Sequence, residues 1–390
     1  MAFTFHTPPN IRFGAGASNE IGELLKGYKA THVLLVTDEG VRAAGLTRNA
    51  EAAIAEAGIA LTVFDGVVVD APSHVIEAAA EICRERGVDA IVAIGGGSVL
   101  DTAKLVAYLA KTPDKLDAIY GIDRATGDRL PLLLVPTTAG TGSEVTPVSI
   151  VKTPTNEKKA VISPRLLSDW AILDPVLTLG LPPHLTAETG IDAMAHAIEA
   201  YTGKIKKNPI SDQLALKALA LLSANLRKVC ADGSDLEARS EMLLGSMLAG
   251  MAFANSPVAA VHALAYPIGE TFDVPHGLSI ALVLPYVLEF NRSAAEALYA
   301  ELSEVIQPGY RRQSDAADAA AFIAEIEAIC RDCGVPGSLS AVGIGEGDLS
   351  KLAKDAMKHV NRLLVNNPRE LDDDQAGAIY ASALAGVSRP

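Results

Sequence analysis

The sequence predicts an α/β domain over residues 1–180 followed by an all-α domain over residues 181–390. Three observations carry this reading. Apolar, β-branched runs alternate with Ala-rich helical stretches through the first half. Beyond Asp174-Pro175 the strand signal all but disappears and helical periodicity takes over. At 390 residues the chain is also too long for one ordinary core, so two domains are the expected solution. Strands alternating with helices imply a mainly parallel sheet covered on both faces, a Rossmann-like arrangement.

The elements follow in order. Residues 31–37 are a short apolar run ending in Asp38-Glu39-Gly40, which predicts a buried strand and turn. Residues 61–64 are a second strand, with an Ala-rich helix over residues 46–58 between the two. A helix runs from Ser73, as its N-cap, to Arg86. Residues 89–94 are the third strand, leading into Gly95-Gly96-Gly97-Ser98 and a helix through Lys104 and Leu109. Residues 132–135 are the fourth, followed by a Thr- and Gly-rich loop. In the second half, residues 203–208 form a polar break closed by Pro209, and residues 211–229 read as an amphipathic helix. Residues 307–313 are a loop between helices, and no internal repeat or low-complexity tract occurs.

Composition excludes several roles. Net charge is −14, with 33 basic against 47 acidic residues, and no Lys/Arg cluster offers a surface to nucleic acid or an anionic membrane. No apolar stretch approaches the ~20 residues that span a bilayer. The first residues lack a basic region followed by an apolar run, so no signal peptide is expected. Four cysteines do not make a disulfide framework, and Cys330-Arg-Asp-Cys333 reads as a helix end before Gly334. A reducing, cytoplasmic setting follows from that cysteine usage.

Two glycine-bearing stretches compete for a phosphate. Gly14-Ala15-Gly16 lacks a third glycine at the right place and reads as a turn. Gly95, Gly96, Gly97 and Ser98 sit between a strand and a helix, where glycines let a diphosphate approach the backbone and a helix N-terminus supplies N–H groups. Ser98 can cap that helix or donate to a phosphate oxygen. Asp38, just past an earlier strand, is placed to accept from the ribose hydroxyls of an adenosine and to repel a 2′-phosphate, favouring NAD over NADP. Thr137, Thr138, Thr141 and Ser143 add hydroxyls on a second loop after a strand.

The second half carries a different chemistry. Gly190-Ile-Asp-Ala-Met-Ala-His-Ala-Ile-Glu-Ala-Tyr201 reads as one helix, with Asp192 and His196 four residues apart on a single, otherwise apolar face. Burying a carboxylate and an imidazole without compensation is costly. His262 lies in an almost wholly apolar helix, and His276 stands between Pro275 and Gly277 at a helix start or turn. Singly, each has a plain explanation as a core or surface residue. Together, one carboxylate and three imidazoles make a mixed O/N site suited to a divalent transition metal. His6, His32, His74, His184 and His359 have no comparable setting.

Gly95-Gly-Gly-Ser-Val-Leu-Asp-Thr-Ala-Lys104, Pro136-Thr-Thr-Ala-Gly-Thr-Gly-Ser-Glu144, the Gly190–Tyr201 stretch, His262 with His276-Gly277, and Asn367-Pro-Arg369 occur in an order and spacing that resembles the iron-containing (group III) alcohol dehydrogenase family along nearly the whole chain. The resemblance implies a dehydroquinate synthase-like fold, with a dinucleotide-binding domain, a helical domain and one metal. It places the metal ligands on Asp192, His196, His262 and His276. It places cofactor contacts on Asp38, Gly96, Gly97, Ser98, Thr137 and Thr138, with a cofactor lysine on Lys158 or Lys159. A homodimer or larger assembly is implied, formed through the N-terminal strand near Phe3 to Phe5. Two departures stand out. Tyr266 occupies the position, four residues past the third ligand, where many members carry a further histidine; it is the candidate proton relay, at a higher pKa than imidazole. Ala71 stands where many members have Asn before the proline matching Pro72.

The expected activity is metal-dependent hydride transfer between a small alcohol or aldehyde (or ketone) and NAD, the metal acting as Lewis acid. Phe253 is a candidate pocket wall. The resemblance favours Fe(II), while the ligand chemistry also suits Zn(II). A hydroxyacid–oxoacid transhydrogenase or a maleylacetate-reductase-like carbonyl reductase are narrower alternatives. A dehydroquinate-synthase-like lyase would need a basic pocket for a phosphorylated substrate, and no Lys/Arg cluster flanks the ligand motifs. A nonenzymatic NAD-binding or metal-sensing module would not need the complete four-ligand set.

Overall fold

The computed structural model describes residues 2–155, 157–358 and 363–386. The chain divides into two compact units, one of His6–Leu181 and one of Pro182–Pro390 together with Met1–Phe5. The first unit runs β1 (Asn10–Phe13), α1 (Ile21–Gly27), β2 (His32–Val36), α2 (Glu39–Ala43), α3 (Arg48–Glu56), β3 (Ala60–Phe64), α4 (Ser73–Arg86), β4 (Ala90–Gly95), α5 (Gly97–Leu109), β5 (Gly121–Ile122), β6 (Leu132–Pro136), β7 (Val148–Lys152), β8 (Lys158–Ile162) and β9 (Trp170–Leu173). Six strands form one parallel sheet in the order β1-β9-β6-β4-β2-β3. A small second sheet, β5-β8-β7, pairs β8 parallel to β5 and antiparallel to β7.

The central strands show why this sheet forms. Successive side chains point to opposite faces. Leu34, Val36, Ile91, Ala93, Leu132 and Leu134 face one core with Ile76, Ala80 and Val106 of α4 and α5. Val33, Leu35, Val92, Ile94, Leu133 and Val135 face the other with Ile21, Leu25 and Ile54 of α1 and α3. Both faces are apolar, as a sheet covered by helices on both sides requires. The four predicted strands are β2, β3, β4 and β6. Ser73 is a first-turn residue of α4 rather than its cap: Pro72 precedes the helix in extended conformation, and no side chain caps it.

Within this unit a buried polar knot ties α5 to the chain after β6. Lys104, fully buried, donates from Nζ to Ser143 Oγ at 2.8 Å, Thr146 Oγ1 at 3.2 Å and the Val148 carbonyl at 2.6 Å. Asp101 accepts from Ser143 Oγ at 2.6 Å and from the Ile150 N–H at 2.8 Å. Glu144 is buried beside it, and burial raises its carboxyl from the ordinary 4.5 to about 7. A carboxyl raised in the folded state imposes no cost below its unfolded value. The cost grows as pH rises between the two values and is complete above the folded one. Glu144→Gln is therefore expected to match the wild type at pH 4 and to be more stable at pH 8, by about 1–3 kcal/mol. Urea midpoints at the two pH values check this; an equal shift at both would overturn it.

The second unit is helical: α6 (Pro183–Thr202), α7 (Pro209–Ala231), α8 (Leu236–Asn255), α9 (Ala260–Phe272), α10 (His276–Ile306), α11 (Asp315–Asp332), α12 (Leu349–Met357) and α13 (Asp373–Ala385). The described residues contain no strand after β9. Residues 190–202 of α6 are all buried, as expected of a helix surrounded by partners, and α7, α8 and α10 pack against it. Gly190 permits this closeness to α7: a Cβ there would lie 2.5 Å from Leu226 Cδ1. Pro209 opens α7 behind Asn208, whose side chain accepts from the Ser211 N–H at 3.0 Å. Among the described residues no single helix is long and apolar enough to cross a membrane.

Candidate metal centre and dinucleotide loop

Three helices of the second unit bring the four candidate ligands to one point. α6 carries Asp192 and His196 on the same face, and both are buried. α9 carries buried His262, and α10 begins at His276. Pro275, extended, delivers the chain into α10. Gly277 then lets the start of α10 rest on α6, since a Cβ there would meet the Glu188 carbonyl oxygen at 2.5 Å. Asp192 Oδ1 is the common centre. His196 Nε2 lies 3.7 Å from it, His262 Nε2 3.5 Å and His276 Nε2 3.7 Å. The rings stack in a row: Phe253 on His196 with centroids 4.2 Å apart, and His196 on His262 at 4.7 Å. Tyr266 lies against His276 at 5.8 Å.

These residues fit a metal ion. Asp192 Oδ1 and His262 Nε2 are buried, and neither has a hydrogen-bond partner among the described residues. An unsatisfied buried polar atom costs about 1–3 kcal/mol, so two facing each other need a common partner. Ligand atoms about 2.1–2.2 Å from one ion at tetrahedral angles lie about 3.4–3.6 Å apart. The separations here, 3.5–3.7 Å, are of that size. Asp192, His196 and His262 form the tightest group, their ligand atoms all within 4.8 Å of one another. His276 is the most exposed of the four, with about a third of its side chain accessible. Electrostatics agree. Burial works to raise the Asp192 carboxyl, but the imidazoles of His196, His276 and His262 overcome it and hold the group well below the usual carboxylate range. Burial works to lower His262, and the carboxylates of Glu199 and Asp192 overcome it, taking the imidazole up to about 9. A field that draws a proton onto His262 draws a cation to the same place.

Glu199 is the residue that sequence reasoning missed. It stands seven residues after Asp192 on the same helical face and is buried. Its Oε2 lies 2.5 Å from His262 Nδ1, and its Oε1 accepts from the Val261 N–H at 2.7 Å. Its one mark in the sequence is that positions 192, 196 and 199 share a single stripe of α6.

The glycine loop lies in the first unit, where β4 ends at Gly95 and α5 begins at Gly97. Close packing excludes side chains here. A Cβ on Gly95 would sit 2.6 Å from Val99, and one on Gly97 2.8 Å from Thr141 Cγ2. Gly96 approaches Thr138, and the Thr137 N–H donates to the Gly95 carbonyl at 3.0 Å. The two loops therefore adjoin at Gly95, Gly96, Gly97, Thr137, Thr138 and Thr141. No side chain caps α5. Ser98 is not the cap of α5; its Oγ accepts the Asp70 N–H at 3.1 Å, which leaves its own O–H to donate. Asp70 in turn accepts from Lys158 Nζ at 2.7 Å, so Ser98, Asp70 and Lys158 form a chain beside the loop. Lys159, next along β8, points elsewhere, toward Glu157 and over the Tyr120 ring. Ser143 is held in the Lys104–Asp101 knot. Asp38 follows β2, which pairs with β4, and caps α2 by accepting the Val41 N–H at 2.9 Å.

The remaining candidates settle simply. α11 ends at Asp332, Cys333 closes it and Gly334 follows at φ +80°, while the Cys333 thiol meets that of Cys230 at the end of α7. His32 bonds the Arg86 carbonyl and Thr62 Oγ1. His359 lies outside the described residues.

Comparison with known proteins gives one consistent result. The sequence profile of "iron-containing alcohol dehydrogenase" matches residues 8–175, and that of the "Fe-containing alcohol dehydrogenase family, C-terminal" matches residues 186–384. The chain is 39% identical over 384 residues to long-chain-alcohol dehydrogenase 1 of Geobacillus thermodenitrificans, covering 97% of this chain and 96% of that protein. It is 32% identical over 381 residues to the NAD-dependent methanol dehydrogenase of Bacillus methanolicus, covering 97% and 99%. A solved structure of a 1,3-propanediol oxidoreductase superposes with a TM-score of 0.95 at 35% identity, over 98% of this chain and all of that one.

Proposed function

The chain belongs to the iron-containing alcohol dehydrogenase family, and is thus an oxidoreductase acting on alcohols and aldehydes; we propose that it uses NAD as hydride carrier and one Fe(II), rather than Zn(II), held by Asp192, His196, His262 and His276. The observation that carries the metal assignment is the single buried oxygen, Asp192 Oδ1, with three imidazole Nε2 atoms 3.5–3.7 Å away. In this reading residues 1–180 bind the dinucleotide and residues 181–390 hold the metal.

When bound, the ion supplies Lewis acidity, polarising the substrate oxygen and easing loss of the alcohol proton near neutral pH. When NAD is bound, its nicotinamide supplies the hydride acceptor. The chain does the rest. Asp192 contributes the one negative charge among the ligands, and buried His196 and His262 keep water from that side of the site. Phe253 fixes the His196 ring by stacking on it. Gly95, Gly96 and Gly97 allow a diphosphate to approach the start of α5, with Thr137, Thr138 and Thr141 beside it, and Asp38 accepts from the adenosine ribose. Lys158, the lysine beside Ser98, is the cofactor lysine of the pair. Tyr266 hands the alcohol proton outward through its hydroxyl. The assembly is a homodimer, which sedimentation of the purified chain tests directly.

Two assays test this function. Protein purified without added metal is stripped by a chelator, reconstituted with Fe(II) or Zn(II), and assayed by NADH absorbance over short alcohols, diols, hydroxy acids and their carbonyl partners. Activity is expected to vanish on chelation and return best with Fe(II). Undiminished turnover in metal-free protein would overturn the metal assignment. In the same assay Tyr266→Phe is expected to lower kcat about 10- to 100-fold and to flatten its pH dependence. An unaltered profile would remove Tyr266 from the proton path.

A further inference from the structure

We propose that Glu199 is a positioning residue of the metal centre, fixing the tautomer and orientation of His262 while it fastens the start of α9 to α6. This rests on the metal reading above. Glu199 and the ligands Asp192 and His196 lie on α6, and His262 lies on α9. One carboxylate bridges the two helices: Oε1 accepts the Val261 N–H at 2.7 Å and Oε2 meets His262 Nδ1 at 2.5 Å. An ionised carboxylate only accepts hydrogen bonds. His262 must therefore carry its proton on Nδ1, and a neutral ring then presents the lone pair of Nε2. That is the atom 3.5 Å from Asp192 Oδ1 and without a hydrogen-bond partner among the described residues.

The second oxygen keeps the carboxylate in place. The first N–H groups of a helix have no partner within it. In α9 no side chain caps the N-terminus from Ala259, and Val261 lies in the first turn. Glu199 answers that N–H from a neighbouring helix, with its negative charge at the favourable end of the α9 dipole. A ligand on α9 is thus set against two ligands on α6 by a side chain that touches neither substrate nor metal.

Glu199→Gln separates this role from simple helix capping. An amide has one acceptor oxygen where the carboxylate has two. If the oxygen stays with Val261, the NH₂ faces His262 Nδ1 and drives the ring proton to Nε2, where it blocks ligation. If the oxygen turns to His262, the NH₂ confronts the Val261 N–H and the contact opens. The chelator-stripped full chain is titrated with Zn(II) against a chromophoric chelator, and separately with Co(II), whose visible bands report ligand geometry. Glu199→Gln is expected to bind Zn(II) about 10- to 100-fold more weakly, the usual effect of losing the hydrogen-bond partner of a ligating histidine, and to shift the Co(II) bands. Glu199→Asp, which keeps two acceptors on a shorter stem, gives the same readouts should the glutamine protein not fold. Wild-type protein that takes up neither ion overturns the metal reading, and this inference with it. Normal wild-type uptake, with affinity and Co(II) spectrum unchanged in the variant and only its melting temperature lowered, makes Glu199 a structural cap and overturns this inference alone.

Discussion

Asp192→Asn is expected to fold normally, to retain only a small fraction of one metal ion per chain, and to lose roughly 10³-fold or more in kcat/KM, since several kcal/mol of charge stabilisation at about 1.36 kcal/mol per tenfold is at stake. All three imidazole Nε2 atoms lie 3.5–3.7 Å from Asp192 Oδ1, and of the four proposed ligands it alone carries a formal charge when the imidazoles are neutral, as ligation requires. The amide is nearly the same size, so the packing of α6, buried throughout residues 190–202, is preserved. What changes is charge and donor pattern: the carboxylate becomes neutral, and half of it becomes an NH₂ that cannot ligate. Truncating His262 would be a blunter test, because it also leaves Glu199 Oε2 buried without its partner. Metal analysis alongside steady-state kinetics checks the prediction. Wild-type metal content in the asparagine protein would show that the ion is held elsewhere; wild-type kcat/KM in metal-poor protein would show that the reaction does not use it.

The parts of this molecule that were legible from sequence share a physical reason, and so do those that were not. β2, β4 and β6 are buried on both faces, so each is a continuous apolar run that no helix of that length would require. β1 at the sheet edge is mostly exposed, and β5 has two residues, so neither leaves such a run. β7 alternates buried and half-buried positions and β8 has only two buried residues of five, a weaker pattern. The cluster of Asp192, His196 and His262 was legible because a polar residue inside an apolar helix is anomalous in itself, and His276 stood out at a helix start between Pro275 and Gly277. Glu199 was not, because a helical glutamate is ordinarily solvated. What makes this one special is an N–H 62 residues away in sequence, on a helix start that had yet to be placed. Ser98 likewise depends on Asp70, a residue at φ +70° whose backbone N–H reaches the hydroxyl only through the tertiary fold.

Asp38→Gly is expected to shift the ratio of kcat/KM for NAD over NADP by about 100-fold toward NADP. Asp38 follows β2 in extended conformation, in the strand beside the one that ends at Gly95. With an adenosine ribose at this strand end, its carboxylate accepts from the hydroxyls and repels a 2′-phosphate. Two like charges about 4 Å apart in a partly solvated site repel by roughly 2–4 kcal/mol, which sets the size of the effect. The structural cost is small and separable. Asp38 Oδ1 caps α2 through the Val41 N–H at 2.9 Å, and glycine at an N-cap costs only a few tenths of a kcal/mol relative to aspartate. Glycine therefore removes the charge while leaving the helix start almost intact. A second substitution tests the electrostatic origin. Arg42, in the last turn of α2, is the nearby cation on the same helix and is paired with Asp65. Adding Asp65→Asn to Asp38→Gly releases that guanidinium for a 2′-phosphate and should improve NADP use about a further tenfold, with little effect on NAD. Initial rates at 340 nm with both dinucleotides and one alcohol decide the matter. An unchanged ratio in Asp38→Gly would place the adenosine away from β2, and a gain equal for both dinucleotides in the double variant would mean that general loosening of the loop, not charge, sets the preference.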